Sequence, residues 1–117
     1  MLNELAADIH QENVAAGWWT DLETGKPLIR NKGELIALMH SELSECLEGI
    51  RKCCPDDKLP HRSMEEVELA DVIIRICDYA GAYGLDLDGA ITEKRAYNKN
   101  RADHSKNSRT AEGGKKF

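Results

Sequence analysis

The sequence predicts an all-α fold, a bundle of four helices, and three observations carry that expectation. Apolar residues recur at intervals of three and four over long stretches, the period of a helix with one buried face. All three prolines, Pro27, Pro55 and Pro60, fall in two short punctuating segments. Nowhere does the chain alternate apolar and polar residues as a half-buried strand does.

The elements follow in order. Residues 3–16 read as a first helix with Leu5, Ile9 and Val14 on one side and Asn3 as its cap. A loop over 17–31 follows, holding Trp18-Trp19 and the turn Thr24-Gly25-Lys26-Pro27. From Lys32 to about Cys53, Leu35, Leu38, Met39, Leu43, Cys46, Leu47 and Ile50 mark a second helix. Residues 54–62, with Pro55, Asp56, Asp57 and Pro60, carry turn chemistry. Ser63 and Glu66 then form a capping box for a third helix, Met64 to about Tyr83, apolar on most sides and therefore central. Gly81 and Gly84 are expected to loosen its end. Asp86 or Asp88 can cap a fourth helix reaching roughly Arg101.

At 117 residues the chain suits one domain, drawn over 1–104, with a basic C-terminal tail over 105–117. In that tail, Lys106, Arg109, Lys115 and Lys116 either cross a bound ligand or move freely. Four helices of this length make a thin core, and so apolar a third helix asks for burial against a second copy of the chain. A homo-oligomer is expected. Hydrophobic residues at 41% and charged residues at 32% fit a soluble globular class. No apolar run approaches a membrane span, and the acidic start lacks a secretory leader's basic region. Net charge is −5, a poor match for a nucleic-acid backbone, though a single nucleotide carried with cations is compatible with it.

Cys46, Cys53, Cys54 and Cys77 contain no C-x-x-C pair. Cys46 and Cys77 sit in apolar helical patterns, and reduced thiols in a cytoplasmic protein are the expectation. A site from Cys53, Cys54 and His61 is the less favoured alternative.

The acids say more. Glu42 and Glu45 lie three apart on the second helix, at the edge of its apolar stripe; Glu68 and Asp71 repeat the spacing on the third. Either pair alone is an ordinary solvated face. Two pairs on consecutive antiparallel helices, separated by 22 residues, favour a shared site, because core-facing carboxylates must be compensated by a cation. An all-oxygen donor set suits Mg²⁺, with Mn²⁺ as a substitute. Ferritin-like di-metal oxidoreductase bundles want Glu-x-x-His, and no histidine occupies such a slot. A non-catalytic helical interaction module, with its acids as surface decoration, is the other rival.

Glu42-Leu43-Ser44-Glu45 followed by Glu68-Leu69-Ala70-Asp71 resembles the E-x-x-E…E-x-x-D signature of the MazG-like all-α nucleoside triphosphate pyrophosphohydrolases. The likeness covers roughly residues 30–104. It implies a four-helix bundle of MazG-like type, a homodimer or homotetramer with active sites at subunit junctions, in a bacterial or phage-infected cytoplasm. The implied reaction is Mg²⁺-dependent hydrolysis of a nucleoside triphosphate to the monophosphate and pyrophosphate, with dGTP the leading substrate. Carried over by position, Glu42, Glu45, Glu68 and Asp71 would hold the metal, and Glu45 would also orient or deprotonate the attacking water. Lys94, Asn98 and Arg101 would present one helical face to phosphate and sugar, or form a plain solvated basic face. Trp18 or Trp19 would stack on the base with Asn13 or His10 nearby, unless either indole simply closes the core. Asp78 would be an outer acid of the site or merely a partner for Arg75.

Overall fold

The computed structural model describes all 117 residues apart from the side chain of residue 102. Its described elements are helical: α1 (Leu2–Ala15), α2 (Lys32–Lys52), α3 (Met64–Tyr83), α4 (Leu87–Lys99) and α5 (Lys106–Thr110), with a 3₁₀ turn at Ala102–His104. Among the described residues the only β pairing is two isolated bridges, Thr20 with Pro27 and Pro55 with Ser63. The chain is all-α. It divides into two compact units, Met1–Leu85 and Asp86–Phe117.

Capping chemistry sets the boundaries. The Asn31 side chain accepts from the Glu34 N–H and opens α2. Ser63 and Glu66 complete the expected capping box at the start of α3, which runs to Tyr83 and stops at Gly84 in the left-handed region. Asp86, not Asp88, caps α4 by accepting from the Gly89 N–H. Two expectations need correcting. Met1 holds the N-cap position of α1, so Asn3 lies within its first turn. α4 ends at Lys99 because Asn100 leaves helical geometry and its side chain donates back to the Ala96 carbonyl, leaving Arg101 beyond the helix.

In the first unit α3 is the shared element, packed on one side by α1 and on another by α2. The buried apolar set is small-sided: Ala6 and Ile9 from α1, Leu35 and Cys46 from α2, Val72, Cys77 and Ala80 from α3. Gly81 does not loosen α3. It lies inside the helix where α1 comes closest, and a Cβ there would stand 2.6 Å from the Ala6 carbonyl oxygen.

Two loops are ordered by acids. Asp21 accepts from the N–H groups of Glu23 and Thr24 and shapes the turn ahead of Pro27. Asp56 is buried, and its Oδ2 accepts from the N–H groups of Lys58 and Leu59 at 2.9 Å and 2.7 Å. A broad apolar surface stays open: Ile36, Leu43, Leu47 and Ile50 recur along one face of α2, and Leu69, Ile73 and Ile76 along one of α3. Among the described residues no helix is long and apolar enough to cross a membrane.

Candidate metal centre

Glu42 arrives from the middle of α2, while Glu68 and Asp71 arrive from successive turns of α3. Each offers one carboxylate oxygen, and these oxygens all lie within 4.8 Å of one another. The i, i+3 spacing of Glu68 and Asp71 is what lets two acids of one helix meet a third from its neighbour.

Glu68 is the buried member of the cluster, Glu42 and Asp71 are half-buried, and the three crowd like charges together. Glu68 is 7% exposed, and its Oε2 has no hydrogen-bond partner. Burial, then its contact with Glu42 and the charges of Glu45, Glu42 and Asp71, push the Glu68 carboxyl up to about 8. Burial also raises Asp71, reinforced by the Glu42 charge. Glu42 goes the other way: burial works against its charge, but hydrogen bonds with Glu68 and Arg75 and the Arg75 charge hold it below the usual range. Burial and crowded like charge thus favour the protonated form of Glu68, while Arg75 favours the ionised form of Glu42. Nε and Nη2 of Arg75 each lie 2.9 Å from Oε1 of Glu42.

The cluster forms a partition between two cavities. One, of about 470 Å³, is lined by Glu42, Glu45, Asp56, Asp57, Glu68 and Asp71, with Lys58 at its wall. The other, of about 450 Å³, is lined by Asn13, Trp18, Arg30, Arg75 and Asp78 together with Glu42 and Asp71. Glu45 is exposed on the acidic side and lies outside the tight group of three. An orphaned buried oxygen among converging carboxylates fits a hard divalent cation, which would supply the missing contact and the missing positive charge.

Trp18 and Asn13 share the second cavity with Glu42 and Asp71; Trp18 is exposed, whereas Trp19 is half-buried. Trp19 donates from Nε1 to Asp78, packs edge-on against His10 and Tyr83, and carries the Arg30 guanidinium over its ring. The Asp78 carboxylate is held by Trp19 and by Nδ1 of His10 at 2.8 Å, so its partner is not Arg75, which reaches across to α2 instead. Lys94, Asn98 and Arg101 belong to the second unit. Arg101 pairs with Asp103 at 2.9 Å, and Lys94 and Arg101 both approach the Tyr97 ring.

Two residues of the site escape sequence reading. Asp56 sits in a segment whose composition signals only a turn, yet it is buried at the acidic cavity. Arg75, one turn after Asp71, is marked by its i, i+4 spacing, but its partner on α2 is fixed by helix packing. No family model, curated protein or solved structure matches the chain.

Proposed function

We propose that the chain is a Mg²⁺-dependent nucleoside triphosphate pyrophosphohydrolase of the MazG-like kind, converting NTP and water to NMP and pyrophosphate, with dGTP the leading substrate. The observation that carries this reading is the convergence of Glu42, Glu68 and Asp71 around a buried, partnerless Glu68 oxygen. Such a donor set binds a hard cation, and hard cations go with phosphate chemistry.

In this reading Glu42, Glu68 and Asp71 hold Mg²⁺ and Glu45 completes the set from the exposed side. Bound there, Mg²⁺ would supply Lewis acidity and charge to offset a triphosphate. Glu45, with a solvent-facing carboxylate, orients the attacking water and takes its proton as the water oxygen bonds to the α-phosphorus. The bond from that phosphorus to the bridging oxygen breaks, and the electron pair leaves with pyrophosphate. Trp18 stacks on the base, with Asn13 in the same cavity, and Trp19 backs that wall. The exposed apolar faces of α2 and α3 are assigned to a homodimer or homotetramer of the bundle.

The test is product analysis on a panel of ribo- and deoxynucleoside triphosphates with Mg²⁺, beside Glu45→Gln. Monophosphate and pyrophosphate from one substrate, lost in the variant, are expected. Diphosphate with phosphate, or no turnover of any nucleotide, would overturn the reading.

A further inference from the structure

Arg75 stands where two kinds of chemistry meet. A guanidinium usually spreads its fork over both oxygens of a carboxylate. Here Nε and Nη2 converge on the single Oε1 of Glu42, and the side chain is still 38% exposed while Glu42 is 12% exposed. Behind the guanidinium lies the 450 Å³ cavity that also receives Arg30, Trp18 and Asn13. Across the partition, the acidic cavity gathers six carboxylates against Lys58.

The charges decide what this arrangement does. Without a divalent cation, the Arg75 guanidinium compensates the clustered acids by pairing with Glu42. A divalent ion seated among Glu42, Glu68 and Asp71 delivers two positive charges to the same oxygens, so Arg75 then faces a like charge at close range. Its long stem gives it freedom to turn, and the adjoining cavity gives it space. Arg30 already faces that cavity, held by a 3.5 Å contact to the Trp18 carbonyl and by the Trp19 ring. Two guanidinium groups facing one cavity repel each other until an anion bridges them, and guanidinium forks match phosphate oxygens.

We propose that Arg75 is an exchangeable counter-ion: it neutralises Glu42 until a divalent cation takes its place, then turns toward Arg30 so that the two guanidinium groups hold a polyphosphate. The proposal rests on the metal-site reading above and adds the order of events and the anion-holding pair. It makes cation binding and anion binding respond to Arg75 in opposite directions, which a purely structural arginine would not do.

Calorimetry on the full chain separates these cases. Mg²⁺ alone is titrated into wild type, Arg75→Ala, Arg75→Lys and Arg30→Ala; inorganic triphosphate is then titrated in saturating Mg²⁺. Arg75→Ala is expected to bind Mg²⁺ tighter by roughly threefold or more, since a competing ion pair is gone. The same variant should bind triphosphate roughly tenfold more weakly, as expected for a lost charge-assisted fork. Arg75→Lys should keep near-wild-type Mg²⁺ affinity, and Arg30→Ala should weaken triphosphate alone. Should the alanine variant fail to fold by circular dichroism, Arg75→Gln takes its place in the same titrations. Unchanged or weaker Mg²⁺ binding without the arginine, or unchanged triphosphate binding, overturns the proposal while leaving the metal site standing. A wild-type protein that binds no Mg²⁺ removes the metal reading itself, and with it the proposal.

Discussion

Across 59 residues of sequence, the indole Nε1 of Trp19 donates to both oxygens of Asp78, at 3.0 Å and 3.1 Å. Asp78 is buried on α3, and Trp19 belongs to the loop between α1 and α2, so one side chain ties that loop to the central helix. Trp19→Phe keeps the ring and deletes the donor, leaving Asp78 with His10 alone. The expected loss is roughly 1–3 kcal/mol of stability, the usual cost of under-satisfying a buried acceptor. Urea unfolding measures it, and a midpoint equal to wild type would mean that water replaces the indole at no cost.

Glu68 makes stability depend on pH in an unusual direction. Its folded-state pKa of about 8 lies above the ordinary 4.5, so between these values the native chain keeps a proton that the unfolded chain has released. Stability should therefore fall as pH rises through that window and level off above it. Glu42, lowered in the fold, adds stability above its ordinary 4.5 that is lost as pH drops below it. Glu68→Gln should flatten the neutral slope and exceed wild-type stability at and above pH 8, where the wild-type carboxyl is forced to ionise. Denaturant titrations in a chelator, at several pH values, check it; parallel curves for the two proteins would exonerate Glu68.

Magnesium should reverse that penalty. A ligand bound only by the folded state raises apparent stability, by about 2.7 kcal/mol at a hundredfold excess over its dissociation constant. The melting temperature of the wild-type chain is expected to rise with Mg²⁺, and to stop responding in Glu42→Gln and Asp71→Asn. A response retained in both variants would place the ion elsewhere.

Gly81 is predicted to tolerate nothing larger. The added methyl of Gly81→Ala would press on the Ala6 carbonyl oxygen and on Cβ of His10, at 2.6 Å and 2.7 Å, neither of which is a flexible side-chain end. Forced separation of α1 from α3 should cost roughly 1–3 kcal/mol, read by thermal unfolding. Gly84→Ala, with open space around it, should cost less, paying only for its left-handed backbone.

The open faces of α2 and α3 carry the fifth prediction. Leu47 is 58% exposed and Ile73 49% exposed, in rows that continue along each helix. Leu47→Lys with Ile73→Lys should shift the sedimentation coefficient from an assembly to a single chain while leaving helicity intact. An unchanged coefficient would assign those rows to something other than self-association.

The helices of the first unit were legible because their signals are local. The Ser63–Glu66 box and the three-and-four spacing of α2 act within one or two turns, and those elements begin where the chemistry says. Of the four acids expected together, Glu42, Glu68 and Asp71 converge, each at a fixed angle to its own apolar stripe, while Glu45 stays outside the group. What the sequence hides is the choice among equivalent long-range partners. Asp78 has Arg75 three residues away on its own helix, yet binds His10 and Trp19 because loop closure brings them nearer. Asp56 reads as a turn former and is one, but only the approach of α2 and α3 buries it. Gly81 reads as a helix weakener for the same reason: its value lies in α1, which the local pattern does not contain.

α1 and α2 both pack on α3 and scarcely on each other. Such a layout has one spine and two independent flaps, so disturbance in one outer helix can reach the other only through the spine. In hydrogen-exchange terms, the amides of α3 should open only with global unfolding, while α1 can detach at lower free energy and leave the acid-bearing pair of helices together. A loosened amino-terminal helix would thus release its His10 grip on Asp78 well before the carboxylates two turns away lost one another.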